Sequence, residues 1–268
     1  MPEHAAPLLS LTDVAVAAGL LLVAGMVSIV LRLGLERRLA VGAVRAVVQL
    51  MGVGYVLKLV FSERYPAATA VMAAVMVVTA SRAATGRVER TFPGMSRLAF
   101  LSLVIAGTVT VWLATQVIIG ARPWYTPRVM IPLLGMVLGN GLNGIAVGLD
   151  ELLARLVEHR REVEMELAHG ATRWEAARRP LRVAVRRGLI PITNTMMVVG
   201  LVTLPGLMTG QILAGADPLQ AVRYQVVIIF MIAAATALGS ILMGLLVVRH
   251  LFTPSHRLQV DRVRRRDG

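Results

Sequence analysis

Asn140 and Asn143 stand three residues apart in the glycine-rich run Gly139 to Gly144, so that on a helix their amides share one face. A second polar group, Thr193, Asn194 and Thr195, follows Pro191 in the next apolar stretch, and Met208, Thr209 and Gln211 follow Pro205 and Gly206. Amides, hydroxyls and thioethers donate, accept and solvate. They do not supply a nucleophile with its base, or a general acid–base pair. Inside lipid they must find partners on a neighbouring helix or in a watery cavity. Two readings stay open. Small and polar residues can fix close helix packing. Alternatively, Asn140, Asn143, Asn194 and Thr195 line a solute path, with Met208, Thr209 and Gln211 near its outer mouth.

The residue types that are missing narrow the chemistry further. There is no cysteine, which removes disulfides, zinc–thiolate sites and iron–sulfur clusters. The single lysine, Lys58, follows Val56 and Leu57 rather than a glycine-rich loop, so there is no P-loop. Any ATP drive must therefore come from another chain, and no cofactor is expected in this one. The apolar runs hold almost no carboxylate or imidazole: Asp13 lies near the end of the first, Asp150 and Glu151 just beyond the fifth, and all five histidines fall outside. Proton coupling and intramembrane hydrolysis both need such groups. An ion-coupled secondary transporter that holds Na⁺ on backbone carbonyls remains the alternative. Hard metal ions prefer carboxylate, imidazole and water, so the residues themselves name no metal-ligand set.

The elements that must position these groups are membrane helices. The 268 residues are 56% hydrophobic, with a mean hydropathy of +0.71 and a net charge of +13. Apolar runs near the ~20 residues a bilayer needs recur at 10–32, 43–60, 66–82, 98–120, 129–149, 188–204 and 224–248. Most of the 28 basic residues sit in four intervals: around Arg37, around Arg87, between Arg155 and Arg187, and after Arg249. By the positive-inside rule those intervals are cytoplasmic, the N-terminus is outside and the C-terminus inside. An odd number of spans follows, and seven satisfies it. Met1 to Thr12 carries no Lys or Arg, so the first run is expected to be a retained helix rather than a cleaved signal. Because every basic cluster abuts a span, the charge orients the chain and contacts anionic lipid; it does not point to nucleic acid. The expected fold is an all-α, polytopic integral membrane protein of about seven transmembrane helices. It forms a single transmembrane domain over 1–268, with a basic tail at 249–268.

Residues 150–187 are too polar for lipid and too long for a connector. Glu151 to His169 is rich in helix formers, with Glu151 and Arg155 at i,i+4 spacing. Gly170 is a stop, and Thr172 with Glu175 makes a capping box for a second helix that Pro180 should kink or end. The pattern is helix, turn, helix on the cytoplasmic face, either a plain solvated hairpin or a docking element.

The string Glu164-Met165-Glu166-Leu167-Ala168-His169-Gly170-Ala171-Thr172 resembles the EAA-type coupling loop of ABC importer permeases, in which a Glu and a Gly six apart bracket a docking helix. Met165 and Glu166 depart from the alanines of that pattern. Further on, Leu204-Pro205-Gly206-Leu207-Met208-Thr209-Gly210-Gln211-Ile212 is similar to the signature of the FetB (YbbM) family of bacterial permeases, whose plant relatives act in aluminium tolerance. Arg45 with Gln49, and Pro132 to Met136 with Gly139-Asn140, are further marks of that family. The resemblance implies an ABC permease subunit of the bacterial inner membrane, acting in iron export and resistance to oxidative stress. It also implies a homodimer of permeases with a separate FetA-like ATP-binding subunit that holds ATP and Mg²⁺. Glu164, Glu166, Gly170, Ala171 and Thr172 would be the ATPase-coupling contact.

Overall fold

The computed structural model describes residues 10–61, 66–120, 122–123 and 125–266. Most of the N-terminal stretch read above, and Arg64, lie outside the described residues.

Ten α-helices make up nearly all of the described chain. Helix α1 (Leu11–Val30) starts at a capping box in which Ser10 and Asp13 satisfy each other's backbone amides. After a short turn comes α2 (Glu36–Val60), then α3 (Pro66–Gly86). Helix α4 (Met95–Leu113) runs on as a π-helical turn, Ala114–Ile118. The long α5 (Pro127–Glu158) and α10 (Pro218–Leu251) both begin at a proline, which is preset for the first helical turn and has no N–H to lose there. Between them lie α6 (Arg160–Ala168), α7 (Arg173–Ala176), α8 (Arg178–Val198) and α9 (Gly206–Leu213).

Helix α10 is the centre of the bundle, packed on α4, α5 and α8, while α3 covers α4 and α5. The tightest packing lies along the C-terminal halves of α5 and α10, where Ile145, Leu152, Leu153, Leu156, Met243, Val247 and Leu251 are buried. In contrast, α1 and α2 pair with each other and barely touch the rest.

Among the described residues, six helices are long and apolar enough to cross a membrane: α1, α2, α3, α4 with its π-turn, α5 and α10. The run expected at 188–204 differs. It is the second half of α8, whose first half carries Arg178, Arg179, Arg182, Arg186 and Arg187. The helix ends at Val198, the chain turns at Gly200 (φ +85°), and Pro205 caps α9. The expected boundary at 150 is also absent, since α5 continues unbroken to Glu158. Pro180 falls in the first turn of α8, where a missing N–H costs nothing, so it opens a helix rather than ending one.

One end of the bundle is tied together by polar contacts. The Glu89 amide donates to Asp150 Oδ1 (2.9 Å), and Arg90 pairs with Glu158 (2.8 Å). The tail is a folded strap, with Phe252 and Leu258 buried. It forms a two-residue antiparallel ladder between β1 (Arg90–Thr91) and β2 (Arg264–Arg265), and the Arg173 amide donates to His256 Nδ1 (3.0 Å). The α3–α4 loop, the end of α5, the α6–α7 turn and the tail therefore share one face.

Candidate functional site

The α6–α7 turn is built by two complementary caps. At the end of α6, the Ala171 amide donates to the Glu166 carbonyl and the Gly170 amide to the Leu167 carbonyl, both at 3.1 Å. Gly170 sits at φ +91°, a conformation that a residue with a Cβ rarely adopts. Two residues on, the Thr172 hydroxyl accepts from the Glu175 amide, while Glu175 Oε2 accepts from the Thr172 amide and hydroxyl, each at 2.7 Å. The Thr172 hydroxyl, then its amide, then the nearby His256 hold the Glu175 carboxyl below the usual carboxylate range. Glu164 is paired with Arg160 at 2.7 Å, and Glu166 is exposed.

Met165 and Trp174, 58% and 41% exposed, flank this turn at the end of the molecule that carries the charged loops. Large apolar side chains exposed away from the apolar spans mark a contact surface. In sequence Met165 stands only as a departure from an alanine pattern, and Trp174 follows the coupling-loop string with no contact role of its own. Both look like helix filler until the turn is seen to project.

Between α5, α8 and the end of α3 lies an open cavity of about 460 Å³ lined by Arg87, Asn143, Asp150, Glu151, Arg187 and Pro191, among others. The Arg87 guanidinium donates to Asn143 Oδ1. Arg187 reaches across from α8 to Glu151 on α5 (2.9 Å), and Glu151 also pairs with Arg155. Arg87 and Arg187 were missed as site residues because in sequence they read as orientation charge, and Asp150 because it reads as a carboxylate just beyond a span; only folding brings them to one cavity.

The remaining polar residues fall into two further groups. Asn140 and Asn194 lie exposed on the outward surfaces of α5 and α8. The Asn140 Nδ2 group donates to the Met136 carbonyl (2.9 Å), and the Thr195 hydroxyl to the Pro191 carbonyl (3.0 Å). Met208, Thr209 and Gln211 are on α9. Met208 is buried, and Thr209 donates to the Pro205 carbonyl (3.2 Å). Gln211 lines a cavity of about 180 Å³ with Arg128, Met136, Tyr224 and Met231, and its Oε1 is buried without a partner. Asn143 thus belongs to one cavity and Gln211 to another. Among the described residues, no three of His, Asp and Glu lie close enough together to hold a metal ion.

The glycines of α5 divide by role. Gly144 and Gly148 meet α8 at Gly188 and Ala184 so closely that a Cβ on Gly188 would stand 2.6 Å from the Gly144 carbonyl oxygen, and one on Gly148 3.1 Å from that of Ala184. This small-residue crossing fixes α8 on α5. Gly139 has nothing near it. The arrangement sets amide, carboxylate and guanidinium side chains around an open cavity beside the α5–α8 crossing.

The model of an uncharacterised protein family, UPF0014, matches residues 11–252. A UPF0014 membrane protein of Synechocystis, slr1647, is 38% identical over 216 residues, covering 81% of this chain and 83% of that one. The probable iron export permease protein FetB of Escherichia coli is 32% identical over 255 residues, 95% of this chain and 96% of that one. The Arabidopsis protein ALUMINUM SENSITIVE 3 is 31% identical over 245 residues, 91% and 88% of the two chains. No solved structure matches.

Proposed function

The chain belongs to the uncharacterised protein family UPF0014, and from that premise we propose that it is the permease subunit of an ABC-type exporter of iron or another metal in the bacterial inner membrane. The observation that carries this reading is the end-to-end similarity to a relative named as a probable iron export permease. Two features of the fold support it. The α6–α7 turn projects with its apolar side chains exposed, as a docking contact for a separate ATP-binding subunit requires. The C-terminal ends of α5 and α10 lie on one face, so α8, the turn at Gly200 and α9 carry the chain back between them. Seven crossings with the basic face in the cytoplasm then account for both the charge distribution and the long helices.

In this reading Glu164, Glu166, Gly170, Ala171 and Thr172 form the ATPase contact, and ATP with Mg²⁺ binds in the partner. Two permeases and two ATPases make the working unit, with the permeases as a homodimer. The cargo crosses as a complex or in transient contact with amides and water, because no carboxylate–imidazole cage is built for it among the described residues.

The test is gentle purification from the native membrane, followed by reconstitution with whatever ATPase accompanies the chain. ATP-dependent movement of radiolabelled iron is expected. Replacing Gly170 with Leu should leave the protein in the membrane but separate ATP hydrolysis from transport, since a side chain at φ +91° distorts the turn. Coupled transport at an unchanged rate would refute the role of the turn. Reproducible purification without any ATPase, and transport that follows an ion gradient, would favour the ion-coupled carrier.

A further inference from the structure

Helix α2 carries a polar stripe that its own subunit does not cover. Arg38, Gly42, Arg45, Gln49 and Gly52 recur at alternating spacings of four and three, one continuous seam of a helix. None of the membrane-length window of α2 is buried, although the helix is apolar enough to span. A Cβ on Gly42 or Gly52 would meet nothing within 4 Å. Arg45 and Gln49 are exposed and make no hydrogen bond or ion pair among the described residues. Arg45 lies about 13 Å into the helix from Glu36, at about 1.5 Å per residue. Gln49 lies deeper still. An unpartnered guanidinium and amide at that depth, facing acyl chains, are strongly disfavoured. Some polar surface must therefore meet them.

A surface of matching depth with free hydrogen-bond acceptors exists on α5 and α8. Asn140 on α5 lies about 15 Å from Asp150, which is held at the rim by the Glu89 amide. On α8, Asn194 lies about 10 Å beyond Arg187, which is tied to Glu151 at the same rim. Both side chains are exposed, and their amide oxygens have no donor among the described residues. Arg45 has only donors to offer, and Asn140 and Asn194 offer free acceptors. Within one chain the two surfaces do not meet, since α2 packs on α1 and touches α3 only slightly.

We propose that in the permease dimer α2 of each copy lies against the α5–α8 face of the other, so that the amide-lined path is composite, with Arg45 and Gln49 supplied by the second copy. This rests on the homodimer in the proposed function. A two-fold arrangement satisfies both stripes at once and leaves the other faces of α1 and α2, with Leu20, Leu22 and Leu50, to lipid.

Because the chain has no cysteine, paired substitutions give a clean readout. In native membranes Arg45→Cys/Asn140→Cys is treated with copper phenanthroline, and in parallel with a short bismaleimide that spans the ~8–10 Å between packed helix axes. A covalent dimer at twice 28.8 kDa is expected, at least about fivefold more abundant than for Leu50→Cys/Asn140→Cys, whose first position is on the far side of α2. Subunit number is measured on the same samples by single-molecule photobleaching of a fluorescent fusion. Two subunits with thiols that link within a chain, or with equal linking from Leu50, overturn the α2 placement and leave the transporter reading standing. A single subunit in the ATPase-bound complex overturns the homodimer and this inference with it.

Discussion

The residues that repay closest attention are the glycines of α5, because one residue type does two jobs there. The sequence shows Gly139, Gly141 and Gly144 interleaved with Asn140 and Asn143, and nothing in that string separates packing from path. Folding separates them. Gly144 is pressed against Gly188, whereas Gly139 faces open space. Gly188→Ala should therefore destabilise the protein by about 1–3 kcal/mol, since its Cβ meets a backbone oxygen that no rotamer change can move. Gly139→Ala should be neutral or stabilising by up to about 1 kcal/mol, because alanine is the better helix former and meets nothing. Thermal midpoints of the two variants in one detergent check the difference in sign. Gly144 with Gly148, and Ala184 with Gly188, could have been found from sequence as a small-xxx-small pair on each of two helices. Cutting α8 at residue 188 hid it, because the arginines of its first half read as loop.

At the scale of elements, caps and turns were the most legible features. Ser or Thr with an acidic residue three on, and a glycine after the last helical residue, act through local hydrogen bonds that need no tertiary context. The α6–α7 turn is accordingly where the sequence placed it. The C-terminal strap was not legible. Its residues 252–266 read as a basic tail, yet Phe252 and Leu258 are buried and β2 pairs with β1 about 170 residues away in sequence, a contact that no local pattern announces. The strap touches the turn through His256 and the α3–α4 loop through Arg264 and Arg265, so it fixes the angle at which the turn projects. Deleting residues 253–268 should leave the bundle inserted, because α10 ends before them. ATPase-coupled transport should fall by roughly tenfold or more, as expected when a docking geometry slackens by about 1 Å. Transport and ATP hydrolysis measured side by side check this. Unchanged coupling would reduce the strap to a stabilising cover.

For the whole molecule, the decisive constraint is length against bilayer thickness. Helix α10 runs from Pro218 to Leu251, about 50 Å at 1.5 Å per residue, and the membrane with its headgroups is about 40–45 Å thick. Its two ends cannot lie on the same side while it spans, and its last turn is fixed by the strap to the face that carries the α6–α7 turn and the arginine-rich ends of α5 and α8. The expectation of seven crossings joined seven apolar runs to an odd parity read from charge, while among the described residues helix length and apolarity identify six. The difference is α8, a helix of 21 residues whose first half carries five arginines, so that it is not apolar enough to count as a span by itself. Parity therefore depends on whether α8 and α9 together return the chain to the outer side. In intact cells Ala216→Cys, exposed just before α10, should react with a membrane-impermeant maleimide, and Ser255→Cys in the strap only after the membrane is opened. The reverse pattern would put the basic face outside, against the charge rule. Reaction of both from outside would mean that α10 does not cross and that the central helix of the bundle lies along the membrane, which its buried and lipid-exposed faces oppose.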